Sequence, residues 1–282
     1  MKKTILAALF SCINIIGYCQ IKPFVLGETH ELPSAILSEK RTLNIYLPAG
    51  YNPSDTVKYP VVYLLDGGAD EDFIHTVGLY QFNSFEWVNR VAPSIIVGIA
   101  NVDRKRDMTY PTSDTADRRR YPTAGRSDQF ISFIGEELQP YINKRFKTNA
   151  SKTLIGESLG GLLATEILLT RPTLFTTYII VSPSLWWDDG SLLKRPSVIL
   201  EDTFTQPASI YIGVGKEGLT PGDKPHVMEV DANLLADKLQ RTKSKTVTIY
   251  FDYLPQEDHA TIAHQAVLNA LRLFNTTKTD AK

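Results

Sequence analysis

Apolar runs rich in β-branched residues recur along the chain, each bounded by turn-forming residues: RTLNIYLPA (41–49), YPVVYLLDGG (59–68), SIIVGIAN (94–101), SKTLIGES (151–158), TTYIIVSPS (176–184), ASIYIGVG (208–215) and TVTIYFDYLP (246–255). Their length and composition predict strands. The stretches DQFISFIGEELQPYINKRF (128–146), LGGLLATEILLTRP (159–172), MEVDANLLADKLQR (228–241) and TIAHQAVLNALRLFN (261–275) read as helices. In the last of these Ile262, Ala266, Leu268, Leu271 and Leu273 with Phe274 make a broad apolar face. Strands alternating with helices predict an α/β fold, a mostly parallel central sheet with helices on both faces. No repeat, low-complexity tract or long Pro/Ser-rich linker interrupts residues 20–276, so 20–282 reads as one domain.

In such a sheet ligands bind beyond the carboxyl ends of the strands, where strands lead into helices. One of these junctions reads TLIGESLGG (153–161), a GxSxG pattern centred on Ser158. The pattern alone is weak, but here a strand feeds the serine and a helix begins at the next residue, as a nucleophile elbow requires. Gly156 and Gly160 are expected to leave room for the turn, since a Cβ at either would clash. A serine hydroxyl needs a base. Among His30, His75, His226, His259 and His264, only His259 follows the last strand in a polar loop, PQEDHAT, directly before the last helix. An acid must orient that imidazole. Glu217, after strand ASIYIGVG, gives the chain order Ser, acid, His; Glu229 is the alternative, with Asp223 and Asp231 nearby. The oxyanion donors are expected at the backbone of Leu159 and at Gly68, in the loop after YPVVYLLDGG.

The 282 residues are 43% hydrophobic and 22% charged with a formal net charge of -1. That balance supplies no field for nucleic acid or an anionic membrane and points to a small or neutral partner. The first residues, MKKTILAALFSCINIIGYC, combine Lys2 and Lys3 with an apolar stretch from Ile5 to Ile16 too short to span a bilayer. Residues 1–19 therefore read as a signal peptide cut after Cys19, giving an exported, periplasmic or extracellular protein with no stable membrane insertion. A lipidated Cys19 is the alternative. Cys12 and Cys19 are the two cysteines, so the mature chain would hold no disulfide, thiol nucleophile or Cys-bound zinc.

YLLDGG, VGIANVDRKRDMTYP, GESLGG, SPSLWW, GVGKEG and EDHAT, in this order, resemble the landmarks of the putative-esterase branch of the α/β-hydrolases. That branch includes esterase D, enterochelin and bacillibactin esterases, family 1 carbohydrate esterases and mycolyltransferases. The resemblance implies a serine esterase with Ser158 as nucleophile, His259 as base, and Gly68 and Leu159 as oxyanion donors, without metal or organic cofactor. It leaves the acid between Glu217 and Glu229. The expected substrate is a small or carbohydrate-linked acyl ester, with a siderophore trilactone as the alternative. A non-catalytic α/β-hydrolase that only binds is the alternative from another class, and the absence of Ser158 or His259 would favour it; an acyltransferase would keep both. Trp186 and Trp187 are candidate substrate contacts through ring stacking, or packing residues beneath the loop. Arg106 is a candidate contact for an anionic ligand, or an ion-pair partner of Asp107.

Overall fold

The computed structural model describes residues 21–221 and 224–279; the leader with Cys12 and Cys19, and Asp223, lie outside the described residues. In chain order the elements are β1 (Glu28–Ser34), β2 (Glu39–Tyr46), β3 (Tyr59–Leu64), α1 (Phe73–Ser84), β4 (Ile95–Ile99), α2 (Arg104–Met108), α3 (Thr115–Arg120), α4 (Ser127–Ser132), α5 (Gln139–Arg145), β5 (Thr148–Glu157), α6 (Leu159–Thr170), β6 (Thr177–Val181), β7 (Ala208–Gly215), α7 (Met228–Gln240), β8 (Val247–Leu254) and α8 (Ile262–Thr279). A π-helical segment, Phe133–Leu138, joins α4 to α5.

The strands form one eight-stranded sheet in the order β1-β2-β4-β3-β5-β6-β7-β8. β3 to β8 are parallel to their neighbours, whereas β2 pairs antiparallel with β1 and β4. This is the α/β-hydrolase arrangement. Side chains alternate across each strand, so the sheet holds two cores. On one face Val62, Leu64, Ile96, Ile155 and Ile179 pack with Phe73, Val77 and Tyr80 of α1 and Ile262, Ala266 and Leu271 of α8. On the other, Val61, Tyr63, Val97, Leu154, Ile180 and Ile212 pack with the α4–α5 helix, α6 and α7. Helix α6 is buried from Gly160 to Leu169, which explains why LGGLLATEILL is apolar all round rather than on one stripe.

β5 and β6 run side by side in the middle of the sheet and end level, with Glu157 opposite Val181. The turns that follow them, together with those after β7 and β8, gather at one edge of the molecule.

Candidate active site

Ser158 sits between β5 and α6 with φ 57° and ψ -116°. A non-glycine residue there is strained, and the surroundings must hold it. Its N–H donates to the Val181 carbonyl (3.0 Å), and its carbonyl accepts from the amides of Leu162 (2.9 Å) and Ser184 (2.9 Å). Strand and helix meet so closely that a Cβ on Gly156 would lie 2.4 Å from the Gly160 carbonyl oxygen. The matching expectation at Gly160 needs correction: a Cβ there would be tight, 3.2 Å from Asp66 Oδ2, but not in collision. The second close approach is at Gly161, 2.8 Å from the Val181 oxygen.

Ser158 Oγ lies 3.0 Å from His259 Nε2, and His259 Nδ1 lies 2.5 Å from Glu217 Oε2. A carboxylate can only accept, so Nδ1 carries the proton and Nε2 is free to accept from the serine hydroxyl. The loop after β8 brings His259 in, and the loop after β7 brings Glu217. The two loops are tied together where the Lys216 amide donates to the Glu257 carbonyl at 2.8 Å. The Glu217 side chain is 3% exposed and His259 is about half-exposed. Burial alone would raise the Glu217 carboxyl; hydrogen bonds from His259 and Ser182, the charge of His259 and the Gly215 amide outweigh it and hold the carboxyl below its ordinary value. The hydrogen bond to Glu217 raises His259 above the usual imidazole value against the opposing pull of desolvation, with the charges of Glu217 and Glu157 adding to it.

Glu229, the alternative acid, faces elsewhere. Its carboxylate accepts from the backbone amides of Glu217 (3.0 Å) and Gly218 (3.0 Å), and so pins the acid loop to the first turn of α7. Asp231 pairs with His226, and the His264 ring lies tilted against that of His75.

Leu159 heads α6, so its N–H belongs to the unpaired first turn of the helix and is open to an oxyanion. Gly68 differs from expectation. Its N–H donates to Glu71 Oε2 at 2.8 Å, while Glu71 Oε1 accepts from Asn101 Nδ2 at 2.8 Å. A carboxylate three residues on has folded back to satisfy the amide, so Gly68 is engaged rather than open. The Gly67 amide is engaged as well, by the Ile99 carbonyl at 3.0 Å.

Two cavities open on Ser158, both lined by Ser184 and Trp186. One, of about 160 Å³, is walled by Arg104, Lys105, Thr109, Tyr121, Leu159 and Trp187. The other, of about 250 Å³, is walled by Glu217, Leu219, Thr220, Pro221, Met228 and His259. Trp186 stands in both walls, as a substrate contact would. Trp187 is 1% exposed and exchanges hydrogen bonds with Tyr110, its Nε1 donating to the Tyr110 carbonyl at 2.8 Å, so it is chiefly a packing residue with an edge at the smaller cavity. Arg106 does not reach either cavity: its guanidinium is bound by Glu39 and Asp107, and those two carboxylates also hold the buried Arg41. The ion-pair reading of Arg106 is the one the structure realises. The basic residues at the cavity are its neighbours, Arg104, paired through both carboxylate oxygens with Asp66, and Lys105, 4.8 Å from the Tyr121 ring centroid.

Sequence reasoning did not single out Glu157, Ser182 or Ser184. Glu157 occupies the first x of GxSxG, a position the pattern leaves open. Burial, reinforced by the charge of Asp72, pushes its carboxyl up to about 7. The two serines lie in SPSLWW, where their place at a strand's carboxyl end was the available signal.

A strained serine at a strand-to-helix turn, bonded to a histidine that is bonded in turn to a buried carboxylate, on a mostly parallel sheet of this order, is the arrangement of a serine hydrolase of the α/β-hydrolase fold. The model of the family described as "Putative esterase" matches residues 34–268, and the chain belongs to that family. It is 31% identical over 250 residues to the ferri-bacillibactin esterase BesA of Bacillus subtilis (strain 168), covering 83% of this chain and 85% of that protein. It is 39% identical over 154 residues, half of each chain, to the siderophore triacetylfusarinine C esterase of Aspergillus fumigatus. A crystal structure of an IroE-like serine hydrolase from Shewanella oneidensis superposes with a TM-score of 0.75 at 31% identity, covering 89% of this chain and 80% of that one.

Proposed function

We propose that this chain is an exported esterase that opens the ester bonds of siderophores through an acyl-enzyme on Ser158. The observation that carries the reading is the unbroken hydrogen-bond chain Ser158–His259–Glu217, opening on a cavity lined by Arg104, Lys105, Tyr121 and Trp186. His259 accepts the serine proton as Oγ attacks the ester carbonyl, and Glu217 holds the imidazole and stabilises its charged form. The Leu159 amide donates to the oxyanion; one such donor contributes about 3 kcal/mol of transition-state stabilisation. His259 then hands its proton to the leaving alcohol and, in deacylation, takes one from water.

The leaving alcohol must lie on the imidazole's side, which assigns the His259-lined cavity to the alcohol and the Arg104–Lys105 cavity to the acyl group. Cations beside aromatic rings suit an acyl group that is both aromatic and anionic. The names of the similar proteins favour a siderophore over the small or carbohydrate-linked esters that the sequence first suggests. Export by residues 1–19 would bring the enzyme to a ferric siderophore outside the cytoplasm.

The test is turnover of residues 20–282 on ferric enterobactin, methyl ferulate and acetylated xylan, each beside Ser158→Ala. Hydrolysis of the ferric trilactone, with kcat/KM above that of the other two and lost by about 10³-fold or more in Ser158→Ala, is the expected result. Preferential turnover of acetylated xylan or methyl ferulate would overturn the siderophore assignment, and full activity in Ser158→Ala would overturn the nucleophile.

A further inference from the structure

The turn after β6, Ser182–Pro183–Ser184, touches both ends of the triad. Ser182 has φ 39°, in the left-handed region that serine rarely adopts, and its side chain is fully buried. Its Oγ–H donates to Glu217 Oε1, which also accepts from the Gly215 amide at 3.2 Å. That leaves Oε2 for His259. Two residues on, the Ser184 amide donates to the Ser158 carbonyl, and one residue back, the Val181 carbonyl accepts from the Ser158 amide. The Ser184 hydroxyl stands 3.3 Å from Ser158 Oγ. One strained turn thus grips the backbone of the nucleophile and the carboxylate of the acid, although the two come from loops some sixty residues apart.

We infer that Ser182 is a positioning residue of this ester hydrolase, fixing the rotation of the Glu217 carboxylate so that one oxygen faces His259 Nδ1. The inference rests on the assignment of Ser158, His259 and Glu217 given above. A carboxylate on a loop is free to turn about its last bond. A buried, charge-assisted hydrogen bond to one oxygen stops that rotation, and misplacement of about 1 Å in such a site costs about 10²-fold. The alternative is a buried hydroxyl that only satisfies itself on the nearest acceptor. The two differ in one respect: a residue acting through Glu217 has nothing to act on once Glu217 is removed.

The experiment compares Ser182→Ala in the wild-type and Glu217→Ala backgrounds, using p-nitrophenyl butyrate and the rate of fluorophosphonate labelling, neither of which depends on the natural substrate. Ser182→Gly, which keeps the positive φ without strain, is carried alongside so that a folded variant lacking the hydroxyl is in hand. Both substitutions should lower kcat by about 10- to 100-fold in the wild-type background, with KM within about threefold. In the Glu217→Ala background they should change the labelling rate by less than about twofold. Wild-type kcat in Ser182→Gly, or an equal loss in both backgrounds, would overturn the inference. Undiminished labelling of Ser158→Ala would instead overturn the assignment on which it rests.

Discussion

Glu157 and His259 feel each other's charge. The imidazole must be neutral to act as base, and its partner Glu217 raises it above the ordinary value, so kcat/KM should fall as pH is lowered through a midpoint above about 6.5. Glu157, ionised above about 7, adds to that rise. In Glu157→Gln the midpoint of the acid limb should therefore move to lower pH, as read from a pH–rate profile on a small ester; an unmoved midpoint would count against any coupling. Stability carries the opposite mark. The folded protein holds the Glu157 proton more tightly than the unfolded chain does, so this residue erodes stability as pH rises from its unfolded value through about 7. Glu157→Gln should gain in thermal midpoint over the wild type at pH 8 and not at pH 4. The choice of Glu217 over Glu229 was only half legible in the sequence, because both carboxylates lie in reach of the same loop. What separates them is which one reaches His259 Nδ1, and that is a property of the folded loop.

The elements that the sequence announces are mostly those with well-buried positions: the strands from β2 onward, α6, α7 and α8. β1 is not among them, since ETHELPS is polar on both faces and pairs as an edge strand along β2. Nor is α1: FIHTVGLYQFNS mixes β-branched and aromatic residues, lacks a side-chain cap and owes its helical form to packing on the sheet. The stretch 128–146 reads as one helix but contains a π-helical turn, which hydrophobic spacing does not reveal. The β5–α6 junction is the element on which the nucleophile depends. Gly156→Ala would drive a methyl group onto backbone at 2.4 Å, an overlap that no rotamer relieves. A loss of about 1–3 kcal/mol in urea unfolding is expected, with kcat falling further than the unfolded fraction explains because the turn itself must open. Gly160→Ala, 3.2 Å from an Asp66 carboxylate oxygen rather than in collision with backbone, should be the milder of the two.

Across the whole molecule, the antiparallel end of the sheet is bolted to the site by charge. Arg41 of β2 is 1% exposed and Asp107 of α2 is 2% exposed; Arg106 and Glu39 complete the network, and Arg41 lies 4.9 Å from the centre of the Phe130 ring. The sequence offered Arg106 as a ligand contact because a basic run after a strand is ambiguous until its partners, Glu39 among them, are brought from elsewhere in the chain. Asp107→Asn removes a negative charge from between two guanidinium groups and should cost about 3–5 kcal/mol in chemical unfolding. It should also raise KM more than Arg106→Gln at the solvent side, since α2 carries Arg104 and Lys105 to the cavity.

The paired cavities on either side of Trp186 impose an order on events. Only one of them reaches His259, so the departing alcohol and the incoming water must use the same space in turn. With a linear ester the alcohol diffuses off and the exchange is quick. With a macrocyclic ester the alcohol remains tethered to the acyl group on the serine, at high effective concentration beside the imidazole that could return its proton. Ring closure then competes with hydrolysis, and the first cut of a macrocycle becomes reversible in a way that later cuts of the opened chain are not. On this enzyme, linear fragments should be consumed faster per bond than the ring from which they come.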